Sequence, residues 1–402
     1  MKKVLLAYSG GLDTSFCVHY LREQRGYEVH TALVDTGGFD PEELAAVEAR
    51  AFALGAASFR RIEAVEDYYA RCIKFLIYGN VLRNQTYPLS VSAERTTQAL
   101  AISAYARELG VDAIAHGSTG AGNDQVRFDL IFHTQNPGTD IITPIRDRKL
   151  ARRDTVAYLR EHGFDWDFER AKYSINKGIW GTSVGGAETL TAEHPLPASA
   201  YPTPMTAAAP REITLTFTRG EVSAVNGEEA EPLACIRAVQ ALTGPYAIGR
   251  DIHVGDTIIG IKGRVGFEAA AALVLIKSHH LLEKHTLSKW QQYWKAQLGE
   301  WYGMLLHEGQ YLEPVMRNIE AFLTDSQDRV SGTVRVALHP YRFELLGCES
   351  PYDLMRSRAG TYGEMNSDWT GEDARGFIKI TANAHRIHQQ AGAVRPQPIE
   401  TL

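Results

Sequence analysis

The order of elements predicts an α/β fold: a doubly wound parallel sheet first, then a second α+β domain, then a C-terminal helical arm. Three observations predict it. Short apolar runs at 4–8, 29–35, 57–62 and 112–116 alternate with helical periodicity, the β-α-β-α order of a parallel sheet. A polar, glycine-rich word, Ser9-Gly10-Gly11-Leu12-Asp13-Thr14-Ser15, separates the first run from the first helix. Beyond residue 165, strands and helices fall in separate runs. The 402 residues have room for two domains and an extra element, and the boundaries read as 1–165, 166–370 and 371–402.

Each element has a local cause. The run 4–8 is short and wholly apolar, as a strand buried on both faces is. Phe16, Val18 and Leu21 are spaced like one face of a helix over 16–25. The next helix starts with Asp40 as N-cap, Pro41 at the first helical position and two acids in the first turn. Leu44, Val47, Ala51 and Leu54 form its apolar face, and Gly55 ends it. A periodic helix over 92–109 closes at Gly110 and leads into the strand 112–116. Ligands of such sheets lie at the carboxyl ends of strands, where strand order reverses. The strands ending at Tyr8 and His116 are expected to flank that point.

The second half reads differently. Residues 173–204 are rich in Gly, Ser, Thr, Ala and Pro and read as long loops. Ile213, Leu215 and Phe217 alternate like a strand, with turns at Arg219-Gly220 and Asn226-Gly227. A helix is expected over 233–242, long helices over 286–325, strands over 330–346, and a last helix over 376–390 before a proline-containing tail.

Composition narrows the function. With 42 basic and 48 acidic residues the net charge is −6, which leaves no basic footprint for nucleic acid. Cys17, Cys72, Cys235 and Cys348 are far apart and form no C-x-x-C pair, so neither a zinc site nor a disulfide frame is read. No stretch approaches a membrane span, and a reducing cytoplasm is the expected compartment.

Two loops carry chemistry. The first sits between a strand and a helix, where unpaired N–H groups and the helix dipole favour anions. Gly10 and Gly11 permit close backbone approach, and Ser9, Thr14 and Ser15 add hydroxyls, so the word reads as a phosphate cradle. It lacks the lysine of the common ATPase loop. The second loop, 116–128, reads HGSTGAGNDQVRF. Thr119, Asn123 and Asp124 offer hydroxyl, amide and carboxylate, and Arg127 offers a planar fork. Asp124 and Arg127 suit a zwitterion; the plainer alternative is an internal ion pair.

The first word resembles the loop of N-type ATP pyrophosphatases. Together with HGSTGAGNDQVRF, with Tyr87-Pro88-Leu89-Ser90-Val91-Ser92, and with Tyr173-Ser174 followed by Ser183, it resembles the argininosuccinate synthase family. The resemblance implies an adenine nucleotide alpha hydrolase-like fold. It implies ATP at Ala7, Tyr8, Ser9, Gly10, Gly11, Leu12, Asp13, Thr14, Ser15 and Gly117. Aspartate would be held by Thr119, Asn123 and Asp124, and citrulline by Tyr87, Ser92, Asn123, Arg127, Ser174 and Ser183. It also implies Mg²⁺ on the phosphates, with no metal-ligand set of the protein's own, and a homotetramer. The reaction would convert citrulline, aspartate and ATP to argininosuccinate, AMP and pyrophosphate through a citrullyl-adenylate. No protein nucleophile is required, and no general base is assigned. Alternatives are a tRNA-modifying relative with another acceptor and a non-catalytic nucleotide-binding protein.

Some positions depart from the family pattern. Gly255 stands where a glutamate is expected for the citrulline amino group, and Phe267 where a tyrosine is expected. Asp256 or Glu268 would be the substitutes for the lost charge. Ala121 replaces a common lysine. His279, His280 and His285 read as surface or satisfied histidines, Trp290, Trp294, Trp301 and Tyr302 as packing or a subunit interface, and the basic stretch 146–153 as a solvated helix start.

Overall fold

Alternation in the first third builds a five-stranded parallel sheet. Its strands are β1 (Lys3–Ala7), β2 (Glu28–Asp35), β3 (Ser58–Glu63), β4 (Ala113–His116) and β5 (Asp140–Ile142), in the order β3-β2-β1-β4-β5. The computed structural model describes residues 1–164, 172–357, 360–364 and 368–393. Val4 and Leu6 face a core shared with Phe16, Leu21, Val47 and Ala51. Leu5 faces the opposite core, with Ile102, Ile114, Ile131 and Phe132. Both sheet faces are therefore covered, which is why these strands read as unbroken apolar runs. The reversal of strand order falls between β1 and β4, where Ala7 is in register with His116.

Local signals hold closely. Asp40 and Glu43 form a reciprocal capping box on the helix Pro41–Ala53. Gly110 takes φ 62 to close the helix Ser90–Leu109. Arg219-Gly220 and Asn226-Gly227 have positive φ at both positions, the geometry of tight hairpin turns.

Two antiparallel sheets follow. One orders β10 (Glu228–Glu229), β9 (Glu221–Val225), β8 (Arg211–Thr218), β13 (Gly332–His339) and β14 (Arg342–Glu349). The other orders β11 (Arg250–Asp256), β12 (Lys262–Glu268), β7 (Thr182–Gly185) and β6 (Ser174–Asn176). The expected loop at 173–204 thus contains two strands, β6 and β7, too short to show alternation. The helix Ala270–Thr286 also escaped the sequence reading. It is buried on most sides, so no polar stripe marks its period.

The chain divides into two units, Met1–Tyr352 and Asp353–Leu402. In the second, the helix Gly371–Ala393 starts earlier than the expected residue 376. Residues 394–402 of the expected tail lie outside the described residues. No helix among the described residues is long and apolar enough to cross a membrane.

Candidate active site

The first loop leaves β1 and enters the helix Leu12–Glu23, so the second half of the word is the first helical turn. Gly11 is the N-cap, with extended backbone and no side-chain cap bond. The N–H groups of that turn therefore lack a side-chain partner and suit an anion. Gly10 takes φ 74, and a Cβ there would lie 2.7 Å from Val47 Cγ2. Arg50 donates to the Gly10 carbonyl. Thr14 Oγ1 donates to the Gly11 carbonyl at 3.2 Å, and Ser9 Oγ accepts from the Gly11 N–H at 3.4 Å. Tyr8, Leu12 and Ser15 are buried supports, Ala7 and Asp13 are half-buried, and Ser9 and Gly11 are exposed. Burial pushes the Asp13 carboxyl up and nearby Arg152 pulls it down, with burial prevailing.

The second loop is braced from behind. His116 Nδ1 accepts from the Ser118 N–H at 3.2 Å, so its proton sits on Nε2 and is donated to Asp129 at 2.7 Å. Arg146 binds the other Asp129 oxygen at 2.7 Å. Burial pushes the Asp129 carboxyl up, but His116 and Arg146 outweigh it and hold the group below the usual range. Arg146 belongs to the basic stretch read as a solvated helix start; it is half-buried and supports the loop instead. Thr119 is exposed, and Gly117 packs against Thr14 of the first loop.

Asp124 opens the helix Asp124–Gln135 and meets two cations. Arg95 Nε donates to it at 2.9 Å and Arg127 Nη1 at 3.1 Å. Burial alone would raise the Asp124 carboxyl; the two guanidiniums hold it low. The internal pair is thus present. Arg127 is nearly inaccessible, with further contacts to the His307 carbonyl at 3.2 and 3.1 Å and to His307 Nδ1 at 3.3 Å. His307 Nδ1 accepts, so Nε2 donates to the Asp256 carbonyl at 3.2 Å. Burial and Arg127 push the His307 pKa down to about 3.

Arg95 extends the network. Its Nη2 donates to Asn176 Oδ1 at 2.7 Å, and Asn176 Nδ2 donates to Ser183 Oγ at 3.3 Å. Ser183 faces Phe267 across β7 and β12, and Ser174 is opposite Gly185. The β11–β12 hairpin comes down on the second loop, where the Ile258 N–H donates to Asn123 Oδ1 at 2.8 Å. Tyr87 and Ser92 are both buried, and the Tyr87 hydroxyl accepts from the Val91 N–H at 3.1 Å. Its ring stacks on His253 and tilts against Phe267. Both substitute carboxylates are already engaged: Asp256 pairs with Lys262 at 2.6 Å, and Glu268 accepts from Thr203 Oγ1 at 2.6 Å.

Sequence reasoning missed Arg95, His116 with Asp129, His253 and His307. Arg95 lies one turn beyond Ser92, which was a usable signal. His253 and His307 reach the site only through tertiary packing and left none. His279, read as surface or satisfied, is fully buried, with its ring nitrogens facing Asn80 Oδ1 and Gln327 Oε1, each at 2.8 Å. Among the described residues no cluster of His, Cys, Asp and Glu could hold a metal ion.

A glycine cradle on a helix N-terminus, at the reversal point of a parallel sheet, defines a HUP-type nucleotide-binding domain, here joined to a second part of antiparallel sheets and helices. The arginosuccinate synthase N-terminal HUP domain matches residues 3–165, and the arginosuccinate synthase C-terminal domain matches residues 173–388. The argininosuccinate synthase of Xanthomonas campestris is 37% identical over 97% of this chain and 98% of its own length. That of Methanocaldococcus jannaschii is 34% identical over 93% and 95%. That of a Synechococcus strain is 35% identical over 98% and 99%. The chain belongs to the argininosuccinate synthase family.

Proposed function

We propose that this chain is a ligase that joins citrulline to aspartate at the expense of ATP, forming argininosuccinate, AMP and pyrophosphate in arginine biosynthesis. The observation that carries this reading is the contact between Gly117 and Thr14, which joins the two loops at one sheet edge. ATP phosphates lie on the N–H groups of Leu12, Asp13 and Thr14, with the Ser9 and Thr14 hydroxyls beside them and Gly11 and Ser15 bounding the turn. Ala7, Tyr8, Gly10 and Leu12 shape that cradle. Thr119, Asn123 and Asp124 hold aspartate; Tyr87, Ser92, Asn123, Arg127, Ser174 and Ser183 form the citrulline side.

The ureido oxygen is a weak nucleophile, so the site works by holding it in line with the α-phosphate. Such positioning is worth about 7–11 kcal/mol of barrier. Oriented N–H groups at the helix start stabilise the developing phosphate charge. The aspartate amine then displaces AMP. Asp13 is the loop's one carboxylate, a donor set that fits Mg²⁺ carried chiefly by the phosphates. Bound there, Mg²⁺ would neutralise phosphate charge.

The assembly we propose is a homotetramer in the cytoplasm. Trp290, Tyr293, Trp294 and Trp301 line one stripe of the helix Lys289–His307 and are more than half exposed. Tyr302 is buried and packs within the chain. In the C-terminal unit, Phe377, Ile378, Ile380 and Ile387 are exposed along the helix Gly371–Ala393. Apolar surfaces of this kind mark subunit contacts.

The test is pyrophosphate release from Mg-ATP and aspartate with and without citrulline. Citrulline-dependent release with argininosuccinate formation is expected. Release that needs tRNA instead, or none under any condition, overturns the reading.

A further inference from the structure

We infer that the cavity between the loop 79–85 and the helices Ala270–Thr286 and Lys289–His307 is a binding site for a zwitterionic α-amino acid with a carboxamide side chain. The ligand's carboxylate lies on Arg83 and its ammonium on Glu300. The cavity shares no lining residue with the two loops or with the acceptor side proposed above.

The cavity has a volume of about 490 Å³, within the range of roughly 300–1,000 Å³ that small-molecule sites occupy. Its loop is fixed at both sides. The Arg83 N–H donates to the Tyr87 carbonyl at 2.8 Å, and Asn84 Nδ2 donates to the Val254 carbonyl at 3.0 Å. Asn80, Asn84 and Gln85 take φ 49, 49 and 61. Left-handed backbone concentrated on residues other than glycine is strained, and such strain gathers at ligand clamps. On the helix Lys289–His307, Gln292, Ala296 and Gly303 line the cavity from the face opposite Trp290, Trp294 and Trp301. The aromatic stripe offered above as a subunit contact therefore points away from it.

Two charges of opposite sign are unmatched here. Arg83 is half-buried, with Nε sealed from solvent without a partner and Nη1 set against Met304 Sδ at 3.4 Å. Burial pushes its pKa down, and the charges of Glu308 and Asp256 fall short of offsetting that. Asp256 pairs with Lys262 at 2.6 Å, and Glu308 lies 4.0 Å from His307. Glu300 stands one turn before Met304; its side chain is exposed and has no partner among the described residues. The other titratable groups are matched or neutral. Lys295 pairs with Glu283 at 2.8 Å. Burial holds His280 on the cavity wall, and His253 and His307 on the far side of Arg83, below the usual imidazole pKa. A guanidinium with free N–H groups takes a carboxylate. A multiply charged phosphate would meet Glu283, Glu300 and Glu308, whereas an α-ammonium answers Glu300. Asn84 and Gln292 donate to the Val254 and Leu287 carbonyls, and no group among the described residues donates to their amide oxygens. Those oxygens and the unengaged Gln85 amide suit a ligand that carries an amide of its own.

Isothermal titration calorimetry of the full chain, without nucleotide, tests this with L-glutamine as the probe. A Kd of about 1 mM is expected. Arg83→Gln and Glu300→Gln are each expected to weaken binding about tenfold. Glu300 is exposed, so Glu300→Gln keeps the fold and decides the matter even where Arg83→Gln disturbs its loop. 5-Amino-5-oxopentanoate, which is glutamine without its ammonium, is expected to bind the parent protein about tenfold more weakly and to be indifferent to Glu300→Gln. No glutamine binding, or binding that survives Glu300→Gln, overturns the inference. If 5-amino-5-oxopentanoate or inorganic phosphate binds as tightly as glutamine, the cavity is a plain anion site and the zwitterion is overturned. The titration involves no turnover of ATP, so each of these outcomes leaves the ligase reading as it stands.

Discussion

Gly117 and Thr14 touch across the reversal point of the sheet: a Cβ on Gly117 would lie 3.0 Å from Thr14 Cγ2 and 3.2 Å from its backbone nitrogen. The nitrogen belongs to the first turn of the helix Leu12–Glu23, so the second loop is pressed onto the first. Gly117→Ala must push the loops apart by a few tenths of an ångström. The expected outcome is a KM for ATP raised by about tenfold with little loss of thermal stability. Steady-state kinetics with varied ATP checks it, and an unchanged KM removes the cradle from this contact.

Behind the second loop, Asp129 is held between His116 and Arg146. Its folded-state pKa is depressed, so its contribution to stability is present above the ordinary carboxylate range and is lost as pH falls through the folded value. Asp129→Asn is expected to cost about 1–3 kcal/mol at neutral pH. The gap from the parent protein should close on acidification. Urea unfolding across pH measures this, and a gap that widens in acid contradicts the brace.

Asp124 is a carboxylate of low basicity tied to Arg95 and Arg127, better suited to holding an ammonium than to removing a proton. Truncation to alanine would strand two buried guanidiniums, so Asp124→Asn is the cleaner change. Citrulline-dependent pyrophosphate release is expected to fall modestly, while argininosuccinate formation falls about a hundredfold further. Equal loss in both half-reactions would take Asp124 away from aspartate.

The sheet and both loops were legible because their causes are local. The apolar runs, the Asp40 capping box and the glycines at 10 and 110 each act within a few residues. What failed to show were groups that act across the fold. His307 reaches Arg127 over a sequence separation of 180 residues, and Asn123 accepts from the Ile258 N–H over 135. β6 and β7 have three and four residues, too few for a period, yet they place Ser174 and Ser183. Gly255 was visible as a departure, but its reason, the imidazole of His253 in the path of any side chain, required coordinates.

The helix Gly371–Ala393 has Phe377, Ile378, Ile380 and Ile387 exposed, a face that a lone chain would leave in water. Truncation after Thr370 is expected to reduce the oligomer without removing the fold of the preceding unit. Size-exclusion chromatography with light scattering measures this. An unchanged mass assigns assembly to other surfaces, with the aromatic stripe at Trp290 and Trp294 the next to alter.

Lys295 and Glu283 form an enclosed ion pair at 2.8 Å, and both are almost wholly buried. Asn80 and Gln327 also donate to the carboxylate, and His279 bridges those two amides. Removing one charge leaves the other stranded, whereas removing both leaves a neutral, hydrogen-bonded core. Lys295→Met is therefore expected to destabilise by about 3–5 kcal/mol. The double variant Lys295→Met with Glu283→Gln should recover most of that loss, because a glutamine at 283 accepts from Gln327 through its one oxygen and donates its amide to Asn80 once that side chain turns its oxygen inward. A double-mutant cycle by chemical denaturation measures the coupling. Additive losses would mean that the two charges do not depend on each other, and that the amides around Glu283 alone hold this part of the core.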